Sequence, residues 1–212
     1  MNFDRLAPHY DWMEAMCGGG LLQRARTAWL EELQGCRRIL SVGEGHGRFA
    51  AACATRFPAA ELTVVESSPG MLARAQARCL DAPIRWHCAD VRDWPPAGSY
   101  DALVTCFFLD CFPPAQLQDV VAKLATCATP DATWLVVDFA VPARGAARWR
   151  AQVVHALMYV FFRHVARLPA RRLTPPDDLL QAQGFVRVAL REFDAGLLRA
   201  ELWRRVGTPR AD

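Results

Sequence analysis

Two periodicities alternate along this chain. Short continuous apolar runs mark strands buried on both faces, and stretches with an apolar residue every three or four positions mark amphipathic helices. The runs fall at 38–42, 62–65, 83–88, 100–106 and 133–139, the third by alternation. Helical spacing fills 48–52, a segment opening at Pro69, and 114–127. Proline suits a first helical turn, because the N–H it lacks would have had no partner there. Residues 1–20 read as a helix broken at Gly18-Gly19-Gly20, and 21–33 as an amphipathic helix. A short helix at 177–183 precedes strands at 185–193 and 197–206, joined by Asp194-Ala195-Gly196 as a hairpin.

Strands that alternate with helices build a parallel sheet covered on both faces, and the hairpin adds two antiparallel strands. The expected fold class is α/β: a Rossmann-like, seven-stranded, mostly parallel sheet with helices on both faces and a C-terminal antiparallel hairpin. One domain spans residues 1–212, with a helical cap over 1–35 and a basic, aromatic helical insertion over 140–175. Such a sheet binds ligands beyond the carboxyl ends of its strands, where the strand order reverses.

The sharpest motif stands at that end of the first strand: Val42-Gly43-Glu44-Gly45-His46-Gly47. Closely spaced glycines allow a tight turn and bring backbone N–H groups close to a ligand. A dinucleotide fingerprint would need GxGxxG, but position 48 is arginine and the spacing is GxGxG, which argues against a nicotinamide oxidoreductase. The next strand ends on Glu66, 23 residues after Gly43, where a carboxylate can take two hydrogen bonds from a ribose diol. As structural elements alone, the glycines would only turn the chain and Glu66 would only cap a helix.

These residues resemble the class I S-adenosylmethionine (SAM)-dependent methyltransferases, and the resemblance runs through most of the chain. The glycine loop is similar to the family's first motif, so Gly43, Glu44, Gly45 and Gly47 would cradle SAM. Glu66-Ser67-Ser68-Pro69-Gly70-Met71 is similar to its second, which implies Glu66 on the ribose, Ser67 beside it and Met71 against the adenine. Cys88-Ala89-Asp90-Val91 resembles the third, with Asp90 at the adenine amino group, and the run from Tyr100 through Cys106 to Asp110 the fourth, lining the methyl-transfer site. One departure stands out: Ser41 replaces the acidic residue usual two positions before the first glycine, and Glu44 is expected to supply part of the missing charge. The amino end, around Tyr10-Asp11-Trp12-Met13, is distantly similar to ubiquinone/menaquinone C-methyltransferases and lipid-modifying relatives. There Tyr10 would face the sulfonium, through its ring or hydroxyl, or else pack in the core.

Methyl transfer is an in-line displacement in which the protein supplies alignment and a dry site. A carbon or oxygen nucleophile also calls for a base. Asp110 is the candidate, in the aromatic run Phe107-Phe108-Leu109-Asp110-Cys111-Phe112 where burial would raise its pKa. Capping the helix near Pro114 is its structural alternative. His9 and His155 are rival bases. No metal is implied, since cysteines and histidines lack ligand spacing.

Composition narrows the picture. With 212 residues, 52% hydrophobic and 22% charged, the chain can bury a sizeable core. Its eight cysteines form no CxxC pair and sit in apolar stretches, which suits reduced thiols in the cytoplasm. The amino end reads as no secretory signal, and no apolar run is long enough to span a membrane. The net charge is +3, yet residues 139–176 hold seven arginines and no acidic residue, so the remainder is net acidic.

That basic segment reads as one helix over 148–168. Trp149, Val153, Leu157 and Val160 fall on one stripe, Val154, Met158, Phe161 and Val165 on another, and Arg148, Gln152, His155, Tyr159 and Arg163 on the third. Two apolar faces exceed what an ordinary surface helix needs. The helix fits a lid over the acceptor or a peripheral anchor on an anionic membrane, and both go with a small hydrophobic or aromatic acceptor such as a quinone, phenol or lipid-like metabolite. Nucleic acid is not expected. Ser41 and the lack of a definite base also suit a SAM-binding scaffold without catalysis.

Overall fold

The computed structural model describes residue 4 and residues 19–80, 82–96 and 98–206. Seven strands make one sheet: β1 (Arg38–Val42), β2 (Glu61–Glu66), β3 (Ile84–Cys88), β4 (Tyr100–Cys106), β5 (Ala128–Phe139), β6 (Phe185–Phe193) and β7 (Leu198–Arg205). Their order is β3-β2-β1-β4-β5-β7-β6. The first five pair in parallel, while β7 runs antiparallel to both β5 and β6. The order reverses between β1 and β4, which places the ligand crevice beyond Val42 and Cys106.

Helices α1 (Gly19–Arg26), α2 (Arg48–Arg56), α3 (Pro69–Arg78), α4 (Pro114–Thr126), α5 (Gly145–Val165) and α6 (Asp177–Ala182) surround the sheet. Two apolar clusters fill its faces. Leu103, Trp134, Leu117 and Trp203 anchor one, and Ile39, Phe49, Val64 and Leu135 the other. Strands β1 and β4 are buried almost throughout, which explains their continuous apolar runs. The closing hairpin turns through Asp194 and Ala195 at φ +49° and +52°, then Gly196 at φ +83°. Successive positive φ values match the right-handed twist of the strands they join.

Three expectations change. The helix expected over 21–33 ends at Arg26, and a 3-10 turn over Leu30–Leu33 follows. Trp29 instead reaches across to β7, its indole donating to the Ala200 carbonyl at 2.9 Å. Strand β5 begins at Ala128, five residues earlier than its apolar run indicates, because its exposed beginning is polar. The long basic helix buries the face that carries His155 and Tyr159, with Ala151, and leaves its most apolar stripe outside.

Candidate active site

The loop after β1 is shaped by three positive-φ glycines, Gly43, Gly45 and Gly47, at +69°, +64° and +86°. They do different jobs. A Cβ on Gly47 would lie 2.6 Å from the Ala75 Cα of α3, so this glycine lets two backbones touch. A Cβ on Gly43 would meet the Phe108 ring, while one on Gly45 would point into open space.

Glu44 folds back under the loop. Its Oε1 accepts from the Ala50 N–H in the first turn of α2 at 2.8 Å, and its Oε2 from the Ser41 hydroxyl at 2.5 Å. Ser41 therefore donates to the carboxylate three residues later. Burial raises the Glu44 pKa, opposed by these hydrogen bonds and the nearby Arg26 charge.

Glu66 joins the loop to the second strand. Gly45 N–H donates to its Oε2 at 2.9 Å and Ser68 N–H to its Oε1 at 2.8 Å. Oε1 also accepts from the Ser67 hydroxyl at 3.5 Å, and Oε2 keeps a further lone pair. The side chain is thus both a tie between loops and an acceptor at the crevice, with a pKa raised chiefly by burial. Ser68 caps α3: its Oγ accepts from Met71 N–H at 3.2 Å and donates to Asp4 at 2.6 Å. The Ser68 hydroxyl and Gly70 amide hold Asp4 below the usual carboxylate range.

A single cleft gathers most of the expected residues. Gly43, Glu44 and Gly45 line one wall, Glu66, Ser67 and Met71 the next, and Asp90, Val91 and Cys106 the remainder. Gly47 stays behind that wall against α3. Asp90 is gripped by Arg92 through Nε at 3.0 Å and an Nη at 2.7 Å, and that guanidinium lowers its pKa. Burial pushes up the Cys106 and Cys111 thiols, so neither is a ready nucleophile. Tyr10 and His9 lie outside the described residues.

Sequence reasoning missed Arg26, which also lines the cleft, together with His46 of the glycine loop and Phe107 of the run after β4. Arg26 is 7% exposed, and its guanidinium sits 5.0 Å from the Phe107 ring centroid. A lone arginine in a helix of mixed polarity carries no signal of its own, since only the fold packs α1 against β7 and brings Arg26 to Phe107. Phe107 adopts φ +54°, rare for a side-chain-bearing residue. Its N–H bonds Val137 O at 2.6 Å, and the Phe108 N–H bonds Asp138 Oδ1 at 3.0 Å.

Two further cavities adjoin. Arg26 and Phe107 also line an apolar chamber of about 480 Å3 between α1, α5 and the hairpin. Leu21, Phe139, Met158 and Phe162 are among its walls, and Arg26 and Asp194 are its only charged residues among those described. The other cavity shares Phe139 with the chamber as a lining residue and holds Asp110, Asp138 and Glu201. Asp110 sits on the 3-10 turn Leu109–Cys111 and faces this cavity, whereas its neighbour Cys111 faces the cleft. It does not cap α4, whose cap position is Pro113. Burial raises the Asp110 pKa to about 6 and the Asp138 pKa well above its ordinary value, the latter helped by the Asp110 charge. His155 lies beneath α5, 5% exposed, edge-on to Phe139, with neither ring nitrogen bonded and a pKa lowered by burial. It lines none of these three cavities. Among the described residues, no group of three or more acidic, histidine or cysteine side chains could hold a metal.

The cleft suits SAM in each part. Glu66 offers acceptors for a ribose diol, Met71 and Val91 an apolar slot for a base, and Arg26 a cation for a carboxylate. Gly45 leaves its side-chain space open.

Comparison with known proteins agrees. Residues 39–131 match the model of a methyltransferase domain. The malonyl-[acyl-carrier protein] O-methyltransferase of Anoxybacillus flavithermus is 39% identical over 67 residues, 32% of this chain and 26% of that protein. The ubiquinone/menaquinone biosynthesis C-methyltransferase of Syntrophotalea carbinolica is 31% identical over 145 residues, 66% of this chain and 60% of that one. The chain thus spans about a quarter to three fifths of the length of these relatives. In fold it is similar to the 1,6-didemethyltoxoflavin-N1-methyltransferase of Burkholderia thailandensis, solved with S-adenosylhomocysteine. The TM-score is 0.65 at 17% identity, over 94% of this chain and 84% of that one.

Proposed function

We propose that this chain, which has a Rossmann-like fold and matches a methyltransferase domain over residues 39–131, is a class I SAM-dependent methyltransferase that methylates a small hydrophobic acceptor held in the apolar chamber. One observation carries the reading: Arg26 and Phe107 form a wall common to the cofactor cleft and the chamber. A ligand filling the chamber would lie beside whatever fills the cleft. The bound cofactor brings the electrophilic methyl group, and the chain's residues align and dry the site.

Glu66, Ser67, Met71, Asp90 and Val91 are proposed to hold the nucleoside, and Gly43, Glu44 and Gly45 the amino-acid end with Arg26. Phe107 presents its ring where the cleft meets the chamber, excluding water on the acceptor side. Asp110 is proposed as the proton acceptor where the nucleophile needs one. Its raised pKa, about 6, makes it a stronger base than an exposed aspartate, and Phe139 lines both its cavity and the chamber. Quinones, phenols and lipid-like metabolites suit such walls.

Calorimetric titration with SAM, followed by assay of S-adenosylhomocysteine release across a panel of such acceptors, tests the proposal. Turnover restricted to apolar acceptors, and lost in Met158→Asp with SAM affinity retained, is the expected result. SAM binding with no turnover on any acceptor or extract would instead support a non-catalytic scaffold.

A further inference from the structure

Helix α5 is inside out. Its buried face carries His155 and Tyr159, whereas Trp149, Leu157, Val160, Phe161 and Val153 are 70, 68, 55, 42 and 39% exposed. A helix that served only as a lid would bury its most apolar stripe. Tyr159 finds a partner inside, donating to the Asp110 carbonyl at 3.0 Å, but His155 finds none, so the orientation leaves a polar ring unsatisfied. A partner for the outward stripe would offset that.

The charges around the stripe say what the partner is. Arg163, Arg167, Arg171 and Arg172 are exposed at or just past the carboxyl end of α5, and none has a carboxylate partner among the described residues. At the other end Arg144 and Arg148 are exposed, while Arg150 pairs with Asp194 at 2.9 Å. No acidic residue interrupts residues 139–176. A second copy of this face would bring arginines against arginines. Nucleic acid offers no partner for valine and leucine along the stripe.

From these observations we infer that α5 docks flat on an anionic lipid bilayer, its apolar stripe among the upper acyl carbons and its arginines at the headgroups. No helix among the described residues is long and apolar enough to cross a membrane, so the mode is peripheral. The chamber strengthens the inference. Leu157 and Phe161 belong to the exposed face and also line the chamber, so its rim lies on the docking side. An apolar acceptor could then pass from the bilayer to the chamber without crossing water; this consequence rests on the proposed methyl transfer, whereas the docking does not.

Co-sedimentation of the full chain with phosphatidylglycerol-containing vesicles, against pure phosphatidylcholine, tests the docking without cofactor or acceptor. Binding to the anionic vesicles is expected to fall at least tenfold from about 0.1 to about 0.5 M NaCl as the arginines are screened. Replacing one of Arg163, Arg171 or Arg172 by glutamine should weaken it about fivefold. Trp149→Glu with Val160→Glu should abolish it while keeping the melting temperature. These two side chains do not line the chamber, so calorimetric SAM binding on the same preparations judges the cofactor site separately. The inference is overturned if anionic vesicles leave the protein in solution, if the double variant binds as well as the parent, or if sedimentation shows a dimer that the double variant splits.

Discussion

The three loop glycines make a quantitative test, because one added methyl group meets different surroundings at each. In Gly47→Ala the new Cβ would stand 2.6 Å from Ala75 Cα and 2.9 Å from Ala75 Cβ, and Ala75 is fully buried. Ordinary contact needs about 3.4 Å or more, so α2 and α3 must part by nearly 1 Å, an overpacking cost of about 1–3 kcal/mol. Holding alanine at φ +86° adds about 1–2 kcal/mol. The sum, about 2–5 kcal/mol, is a large share of the roughly 5–15 kcal/mol that stabilises a domain. It corresponds to a fall in Tm on the order of 10 °C for a chain of this length. In Gly45→Ala only the backbone term applies, because nothing lies within 4 Å of the added methyl. Its Tm should drop by only about 2–8 °C, yet the methyl projects where the cofactor backbone must come close, and affinity should fall at least tenfold. Differential scanning fluorimetry and calorimetric titration with S-adenosylhomocysteine measure both quantities. Equal melting of the two variants would refute the packing role of Gly47. Undiminished nucleoside binding by Gly45→Ala would refute the cleft itself.

Other outcomes follow from single contacts. Glu44→Gln keeps an acceptor for Ala50 but removes the charge beside Ser41 and Arg26, so calorimetry should show SAM binding weakened about fivefold, at roughly 1 kcal/mol for one charge. Burial holds Asp110 and Asp138 above their unfolded pKa values, so the fold binds more protons than the unfolded chain. Their stabilising share is complete below the unfolded carboxylate range and is lost as pH rises through about 6 and above. Asp138→Asn, which keeps the acceptor for Phe108, should therefore raise Tm at pH 8 and bring little change near pH 4 in thermal melts. His155→Leu removes two buried, unbonded nitrogens and should add about 1 kcal/mol in urea unfolding. The folded pKa of His155 is depressed, so that advantage should grow as pH falls below 6.5.

How much of this was legible beforehand differs by residue. Gly43, Gly45, Glu66, Met71 and Val91 meet in one cleft as the resemblance implied, because each stands at or a few residues beyond the carboxyl end of β1, β2 or β3. A parallel sheet brings those ends to one edge whatever the rest of the chain does. Gly47 was readable as a turn glycine, but its contact with Ala75 depends on how α2 packs against α3. Asp110 was readable as a buried acid in an aromatic run. Which way it faced was not, because a 3-10 turn of three residues can send adjacent side chains to opposite sides.

The chain's own order of residues determined the alternation of strands and helices, the glycine loop, the acid at the next strand's tip and the basic character of α5. These are local patterns, set by backbone preferences and by hydrophobic periods of two and 3.6 residues. Tertiary structure alone decided which face of α5 is buried, where Arg26 stands, and that the cleft and the chamber share Phe107. Those follow from contacts between elements far apart in sequence, where the packing of a whole layer outweighs the preference of any one helix for its apolar side.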